Sequence, residues 1–397
     1  MAALDLSLPG LGRCLRLVDA PEVTRTLVAT LPGWTPSVCP ARGGAPAIRL
    51  YRCGAGYRQY APALPGGLDL PTATAAASSL IADLAGEVLA ADRNQDLLGL
   101  HCASVEIDGR LAIFPEAHRA GKSTLSLAFA AAGYRLFGDD VLGLTPTGEG
   151  MALGIAPRLR LPLPEGLAPE LLAYFHRHAG PGDCRYRFLR PSRLAAHGET
   201  RPLAAIVLLE RDAGLAAAEV VRLSPGEGLA QLLRQNFADE RDDAALMPRL
   251  LPLMERLPCL LLRYAEPLAA ARELARVLRA GVEVPAREAG RMVASRGGPL
   301  VPSHRWRPAP RVHAYPLGDE LFLIHGPSGG IHRLNASGHA VWALLAEEAL
   351  SLDALADCLA EHFDRPRTTL ARDLHALLAG LVEAGLVIPA EPLADAS

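Results

Sequence analysis

Lysine is almost absent from this chain. Of its 40 basic side chains in 397 residues, 39 are arginine and one is lysine, Lys122. A GC-rich coding sequence drifts from lysine to arginine wherever a solvated positive charge is enough. A position that resists needs the compact ammonium that a flat guanidinium does not imitate. Long apolar runs are missing too; none approaches the ~18 residues of a membrane span. Excess charge is missing: 40 basic against 43 acidic groups leave a net charge of −3, which argues against non-specific nucleic-acid binding or an electrostatic hold on membranes. The seven cysteines (14, 39, 53, 102, 184, 259, 358) are odd in number, scattered and never C-x-x-C. They read as reduced, mostly buried thiols of a cytosolic protein, with neither a zinc site nor a disulfide frame. The N-terminus has no basic stretch of the signal-peptide kind. What is present is globular: half the residues are apolar and 21% charged, over a length that suggests two or three domains at ~150 residues each.

Residues 1–95 alternate short strand and helix patterns and read as an α+β scaffold packed on the middle domain. Leu15–Val18 and Ile48–Tyr51 look like strands, and Leu80, Ile81, Leu84 and Val88 mark one helix face. Residues 96–285 read as an α/β domain that holds the motifs. Within it, Val105 to Ile113 is a β-hairpin around a type I′ turn at Asp108-Gly109. Its second strand runs into residues 114–122. A helix from Lys122 to about Ala132 ends at Gly133, and a short strand, Tyr134 to Phe137, delivers Gly138-Asp139-Asp140. Residues 286–306 shift to Gly, Pro, Ser and Arg and read as a linker. Residues 307–392 read as three short strands and three helices, with Asn335 and Ser351 as caps of the first two and Pro366 at the start of the third.

A phosphate-binding loop works because backbone N–H groups at a helix N-terminus point at the anion, a lysine neutralises the terminal phosphates, and Ser or Thr ligates Mg²⁺. Gly121-Lys122-Ser123-Thr124 follows a strand and opens a helix, as that chemistry requires. Asp139 and Asp140 arrive 17 residues after Lys122. One carboxylate can hold a metal while the other accepts a proton from an incoming hydroxyl. The plainer alternative is a chance tetrapeptide and a solvated acidic turn; the only lysine of the chain falling inside the tetrapeptide weighs against it. The loop departs from G-x-x-x-x-G-K-[ST] at Glu116, where the first glycine belongs, and carries Arg119 where another glycine is common. Either the loop has its own shape, with Arg119 as an extra phosphate contact, or nucleotide binding has weakened.

His101-Cys-Ala-Ser-Val105, Ala120-Gly-Lys-Ser-Thr124 and Gly133-Tyr-Arg-Leu-Phe-Gly-Asp-Asp140 together resemble the HPr kinase/phosphorylase family, firmly over residues 97–145 and loosely to about 280. The resemblance implies an HPr-kinase/PEP-carboxykinase-like P-loop domain with a mixed sheet. It implies ATP and Mg²⁺ as cofactors, with Asp139 as general base on a Ser/Thr hydroxyl and Ser123 and Asp140 on the metal. The nucleotide would lie on Ala117, His118, Arg119, Ala120, Gly121, Lys122, Ser123 and Thr124. His101 would stand beside the transferring phosphoryl; its alternative is a histidine packed between strands. Arg158 and Arg160 read more simply as exposed structural arginines than as cleft residues.

Three strands followed by three helices outline a winged helix, a fold that commonly binds DNA through a basic helix. From residue 301 onward there are seven basic and twelve acidic residues, so no nucleic-acid partner is expected. Gly330-Ile-His-Arg-Leu-Asn-Ala-Ser-Gly-His-Ala-Val-Trp342 and Leu381-Val-Glu-Ala-Gly-Leu-Val387 instead look like the PqqD family, peptide-recognition domains of clusters that make ribosomally synthesised, modified peptides. The resemblance covers about residues 307–390. It implies that a precursor's leader adds as a strand to Gly330, Ile331, His332, Arg333 and Leu334 and lies against Arg372, Asp373 and Ala376 of the third helix. Seven of the twelve histidines lie in this last quarter without ligand spacing, and Trp342 and the Leu370-to-Leu381 stripe read as core. The joint expectation is a cytoplasmic kinase acting on a captured precursor peptide, alone or with other peptide-modifying enzymes, with no membrane partner. The sequence leaves room for a homo-oligomer. The competing expectations are a peptide chaperone on a degenerate kinase-like scaffold, and a kinase for a carrier protein or small molecule.

Overall fold

The computed structural model describes residues 2–9, 11–89, 96–115, 121–237, 243–281, 283–287, 300, 304–326, 328, 330–363 and 366–390, and of 236–237, 243–245 and 362–363 the backbone only. The chain divides into two compact units, 1–240 with 256–287, and 241–255 with 288–397.

The first unit opens with a six-stranded sheet in the order Ser37–Pro40, Ala3–Ser7, Leu15–Val18, Ile48–Cys53, Gly56–Ala61, Leu64–Leu70. Alternate residues of its strands, Leu15 and Leu17, Ile48 and Leu50, turn inward and share a core with helices Pro21–Thr30 and Ala73–Leu89. A buried carboxylate is tolerated there because it is paired: Asp5 accepts from Arg16 Nε at 2.8 Å, Arg16 Nη2 at 3.0 Å and the Arg42 amide at 2.9 Å. The hydrogen bonds from Arg16 hold its carboxyl below the ordinary range against the effect of burial.

A ten-stranded mixed sheet comes next. Ala103–Ile107 and Arg110–Phe114 form its hairpin, with Ile107 opposite Arg110. Asp108 (φ 49°) and Gly109 (φ 77°) make the two-residue type I′ turn, whose twist matches that of the strands. Arg110–Phe114 pairs on its other side, in parallel, with the 12-residue strand Thr200–Arg211, which in turn pairs in parallel with Cys259–Tyr264. The hairpin strand therefore has an antiparallel neighbour on one side and a parallel one on the other, and the next helix in the chain is Lys122–Ala131. That helix packs on helix Pro267–Ala280. Phe114 and Phe129 meet beneath it, ring centroids 5.7 Å apart, and burying each ring is worth about 2–3 kcal/mol. Gly133, at φ 88°, ends the helix.

In the second unit Val312–Leu317, Glu320–His325 and Gly330–Leu334 form an antiparallel meander that turns at Gly318, φ 58°. Helices Ala336–Glu347, Leu352–Phe363 and Arg367–Glu383 come after it. Asn335 caps the first through the Gly338 amide at 3.0 Å, and the Ser351 hydroxyl accepts from the Ala354 amide at 3.2 Å. Trp342 and Leu374, Leu378 and Leu381 lie in the core of this unit. Two boundaries differ from the sequence reading. Strand Arg305–Pro308, which begins in the last two residues of the expected linker, pairs with Val387–Pro389, and its Trp306 is buried in the same core. Residues 241–255, expected in the middle domain, fall with the second unit; their buried Leu246, Met247 and Leu250 require a core without saying which one.

Candidate functional site

Lys122 is the first residue of its helix, at the end where the helix dipole is positive, and is buried. Gly121, the N-cap, takes φ 98°, and a Cβ there would meet the Tyr264 hydroxyl at 2.9 Å. Only glycine satisfies both the dihedral and the space. The Ser123 hydroxyl, one residue along, donates to Asp139 Oδ2 at 2.9 Å, and the Arg158 amide donates to the same oxygen at 3.2 Å. Asp140 turns the other way and meets His101 Nε2 at 2.7 Å. His101 Nδ1 meets Gln235 Oε1 at 2.8 Å, and the His101 amide donates to the Gln235 carbonyl at 2.7 Å. Gln235 is the C-cap of helix Pro225–Arg234, whose start is set by a Ser224–Glu227 capping box. That helix therefore carries the group that orients His101.

The two neighbouring carboxylates are driven apart. Burial, and then the charge of Asp140, raise the Asp139 carboxyl above its ordinary value, against the pull of Ser126, Ser123 and the Arg158 amide. Burial alone would raise Asp140 as well, but His101, Arg158 and Lys122 outweigh it and hold that carboxyl low. Two carboxyl groups with opposed proton affinities are the signature of divided acid–base and charge-holding roles. Of the seven cysteines only Cys102 and Cys259 are buried, so the expectation of mostly buried thiols does not hold. The Cys102 thiol is pushed up to about 12, chiefly by burial, so it stays protonated and is no nucleophile.

Lys122 and the two carboxylates, Asp139 and Asp140, line one cavity of about 870 Å³ together with Gly121, Ser123 and Thr124. Arg158, Arg160 and Arg211 line it too, with the Arg158 guanidinium 4.8 Å over the Tyr186 ring. Arg158 and Arg160 are thus cleft residues as well as surface ones, because strand Arg158–Arg160 pairs with Tyr186–Leu189 and lays both arginines along the opening. Asp139 Oδ1 is buried without a hydrogen-bond partner among the described residues. Ser123, Asp139 and Asp140 are hard oxygen donors, the set Mg²⁺ takes when it is shared with substrate phosphates. The residues fit a Mg²⁺–polyphosphate group.

In the second unit Gly330–Leu334 pairs with Glu320–His325 and is an outer strand of its meander. Arg333 is held by Glu320, and Gly330 to Arg333 are half-buried. Residues 320–387 match the PqqD family. That family is described as coenzyme PQQ synthesis protein D. The match runs from the second meander strand, Glu320–His325, to the first residue of strand Val387–Pro389. No curated protein matches the chain. Among solved structures, the chain is similar to TbiB1 in complex with the TbiA(beta) leader peptide, at 27% identity over 22% of this chain and 99% of that one, TM-score 0.20. It is also similar to the Hpr(Ser) kinase/phosphatase from Coxiella burnetii, at 12% identity over 46% of this chain and 95% of that one, TM-score 0.21.

Of the residues expected in the site, Lys122, Ser123, Asp139, Asp140 and His101 come together, with Ser123 on Asp139 rather than on Asp140. Ala117, His118, Arg119 and Ala120, like Glu116, lie outside the described residues. In the PqqD-like unit Gly330, Ile331 and His332 lie along the outer strand, whereas the Leu334 side chain is committed to the core. Burial, and next the charge of His325, lower the pKa of His332. Arg372 and Asp373 are exposed and Ala376 half-buried on helix Arg367–Glu383. Gln235 and the Arg158 amide carry no expectation from the sequence; Gln235 stands 134 residues from His101 and no local signal marks it. Among the described residues no helix is long and apolar enough to cross a membrane.

Proposed function

We propose that the chain is a peptide kinase: the PqqD-like unit captures a ribosomally synthesised precursor by its leader, and the first unit transfers the γ-phosphoryl of ATP to a Ser or Thr hydroxyl of it. The observation that carries this reading is the junction of Lys122 at a helix N-terminus with two carboxylates of opposed proton affinity, all in one cavity. The PqqD match supplies the peptide half. Tethering the leader raises the local concentration of the acceptor segment, so the cavity need not grip it strongly.

Lys122 and the first-turn N–H groups hold the phosphates. The acceptor oxygen attacks the γ-phosphorus and its proton passes to Asp139. The bond from that phosphorus to the β–γ bridging oxygen breaks, giving a phosphorylated side chain and ADP. Mg²⁺, when bound, neutralises charge on the phosphates, with Ser123 and Asp140 as its holders. His101, fixed by Gln235, keeps Asp140 ionised and in place.

The Ser123–Asp139 hydrogen bond favours a second assignment in which the carboxylates exchange duties, since Asp139 then sits on the serine side and Asp140 faces the open cavity. Asp139→Asn and Asp140→Asn separate the two. The substitution of the metal holder raises the Mg²⁺ needed for half-maximal turnover, and that of the base abolishes turnover at saturating Mg²⁺. Titration of the full chain with Mg·ADP tests the kinase reading itself. Binding that is lost in Lys122→Ala supports it; leader-peptide binding with no nucleotide binding makes the protein a peptide chaperone instead, the outcome that Glu116 and Arg119 would favour.

A further inference from the structure

Helix Ala73–Leu89 is apolar on more than one face. Ala77, Leu80, Leu84 and Val88 serve the N-terminal core. Ser78, Ile81, Ala82 and Ala85, spaced i, i+3, i+4 and i+7, form another face, and all four line the cavity that holds Lys122, Asp139 and Asp140. Leu153 and Ile155 continue this apolar wall. The Ser78 hydroxyl on it is buried without a hydrogen-bond partner among the described residues. Elsewhere the same cavity is cationic and aromatic, with Arg158, Arg160, Arg211 and Tyr186.

A nucleoside polyphosphate carries several negative charges and a flat ring, and it belongs with guanidinium groups and an aromatic face. The apolar wall is then left to the second substrate. We infer that the N-terminal region is part of the catalytic cleft: its Ser78–Ile81–Ala82–Ala85 face is the acceptor wall and selects a hydroxyl flanked by apolar side chains, with Ser78 meeting the acceptor's backbone. This rests on the kinase reading and narrows it, because an acidic or sugar-like acceptor gains nothing from such a wall. The wall and the carboxylate pair line the same cavity, so a chain lying on the wall can bring its hydroxyl to the transferring phosphoryl. Its oxygen bonds to the γ-phosphorus, the proton goes to the carboxylate base and ADP leaves.

The test uses the full chain, Mg·ATP and two synthetic heptapeptides, a central serine flanked by leucines or by glutamates. The leucine peptide should be phosphorylated at least about ten-fold more efficiently, the discrimination that a few apolar contacts provide. Ala82 is exposed, so a larger side chain fits without disturbing the core. Ala82→Trp should cut transfer to the leucine peptide about ten-fold while leaving the Kd for Mg·ADP within about two-fold, and Arg211→Ser should weaken Mg·ADP about five-fold. A preference for the glutamate peptide overturns the inference. So does loss of Mg·ADP binding in Ala82→Trp with none in Arg211→Ser, or phosphorylation of neither peptide while Mg·ADP still binds. Failure of the unsubstituted chain to bind Mg·ADP overturns the kinase reading, and the acceptor wall with it.

Discussion

Gly121→Ala places two separable strains on the start of the Lys122 helix. At φ 98° a residue with a Cβ pays roughly 1–3 kcal/mol for the backbone conformation. The added Cβ also lies 2.9 Å from the Tyr264 hydroxyl, and Tyr264 is 1% exposed, so its ring has nowhere to retreat. Overpacking of that kind costs about 1 kcal/mol or more. The expected loss on denaturant unfolding is therefore about 2–4 kcal/mol. Tyr264→Phe removes the clashing oxygen and leaves the dihedral strain. The double variant should accordingly be less destabilised than the sum of the singles by about 1 kcal/mol. Mg·ADP binding should stay weak in both alanine variants, since the N-terminal turn of the Lys122 helix has moved. A Gly121→Ala protein within about 0.5 kcal/mol of the parent, or a strictly additive cycle, would refute this picture of the helix start.

Other outcomes rest on the same geometry. Trp306→Ala should cost about 3–5 kcal/mol in the unfolding of the second unit, because strand Arg305–Pro308 is held by that buried indole; fluorescence-detected melting reads it. Gln235→Ala removes the side chain that meets His101 Nδ1 and should lower turnover about ten-fold with little change in Mg·ADP affinity, which steady-state kinetics separates from a folding defect. Asp5 carries a depressed folded-state pKa, so its contribution is present at neutral pH and is lost as pH falls below about 4. Asp5→Asn should cost about 2 kcal/mol at pH 7 and flatten that acid slope in denaturant titrations.

Most of the candidate catalytic core was legible from local chemistry. Asp108-Gly109 marks a two-residue turn, Gly133 a helix end, and Asn335 a helix start, since each satisfies backbone demands that neighbours in sequence create. The carboxylate pair was legible because it sits one short strand beyond the lysine helix. What escaped depends on distant parts of the chain. Gln235 reaches His101 through the pairing of Asn236–Phe237 with Leu98–Leu100, and nothing near Gln235 announces that. The Ser78 face looked like scaffold because an apolar helix pattern says that a face is covered, not by what. Leu334 fits the leader strand by position, yet period-two alternation turns its side chain into the core. Arg158 and Arg160 are two among 39 arginines, and in such a composition nothing local marks the few that line a cavity.

Whether this chain is a peptide kinase is decided by intact-mass measurement on the small peptides encoded beside the gene, incubated with Mg·ATP and either the parent chain or Lys122→Arg. One precursor should gain about 80 Da, the mass of a phosphoryl group, from the parent chain only. Leader binding should be the same for both proteins. An equal gain with Lys122→Arg would show that the only lysine of the chain is not needed as an ammonium. No gain from the parent chain, with the leader bound, would contradict the kinase.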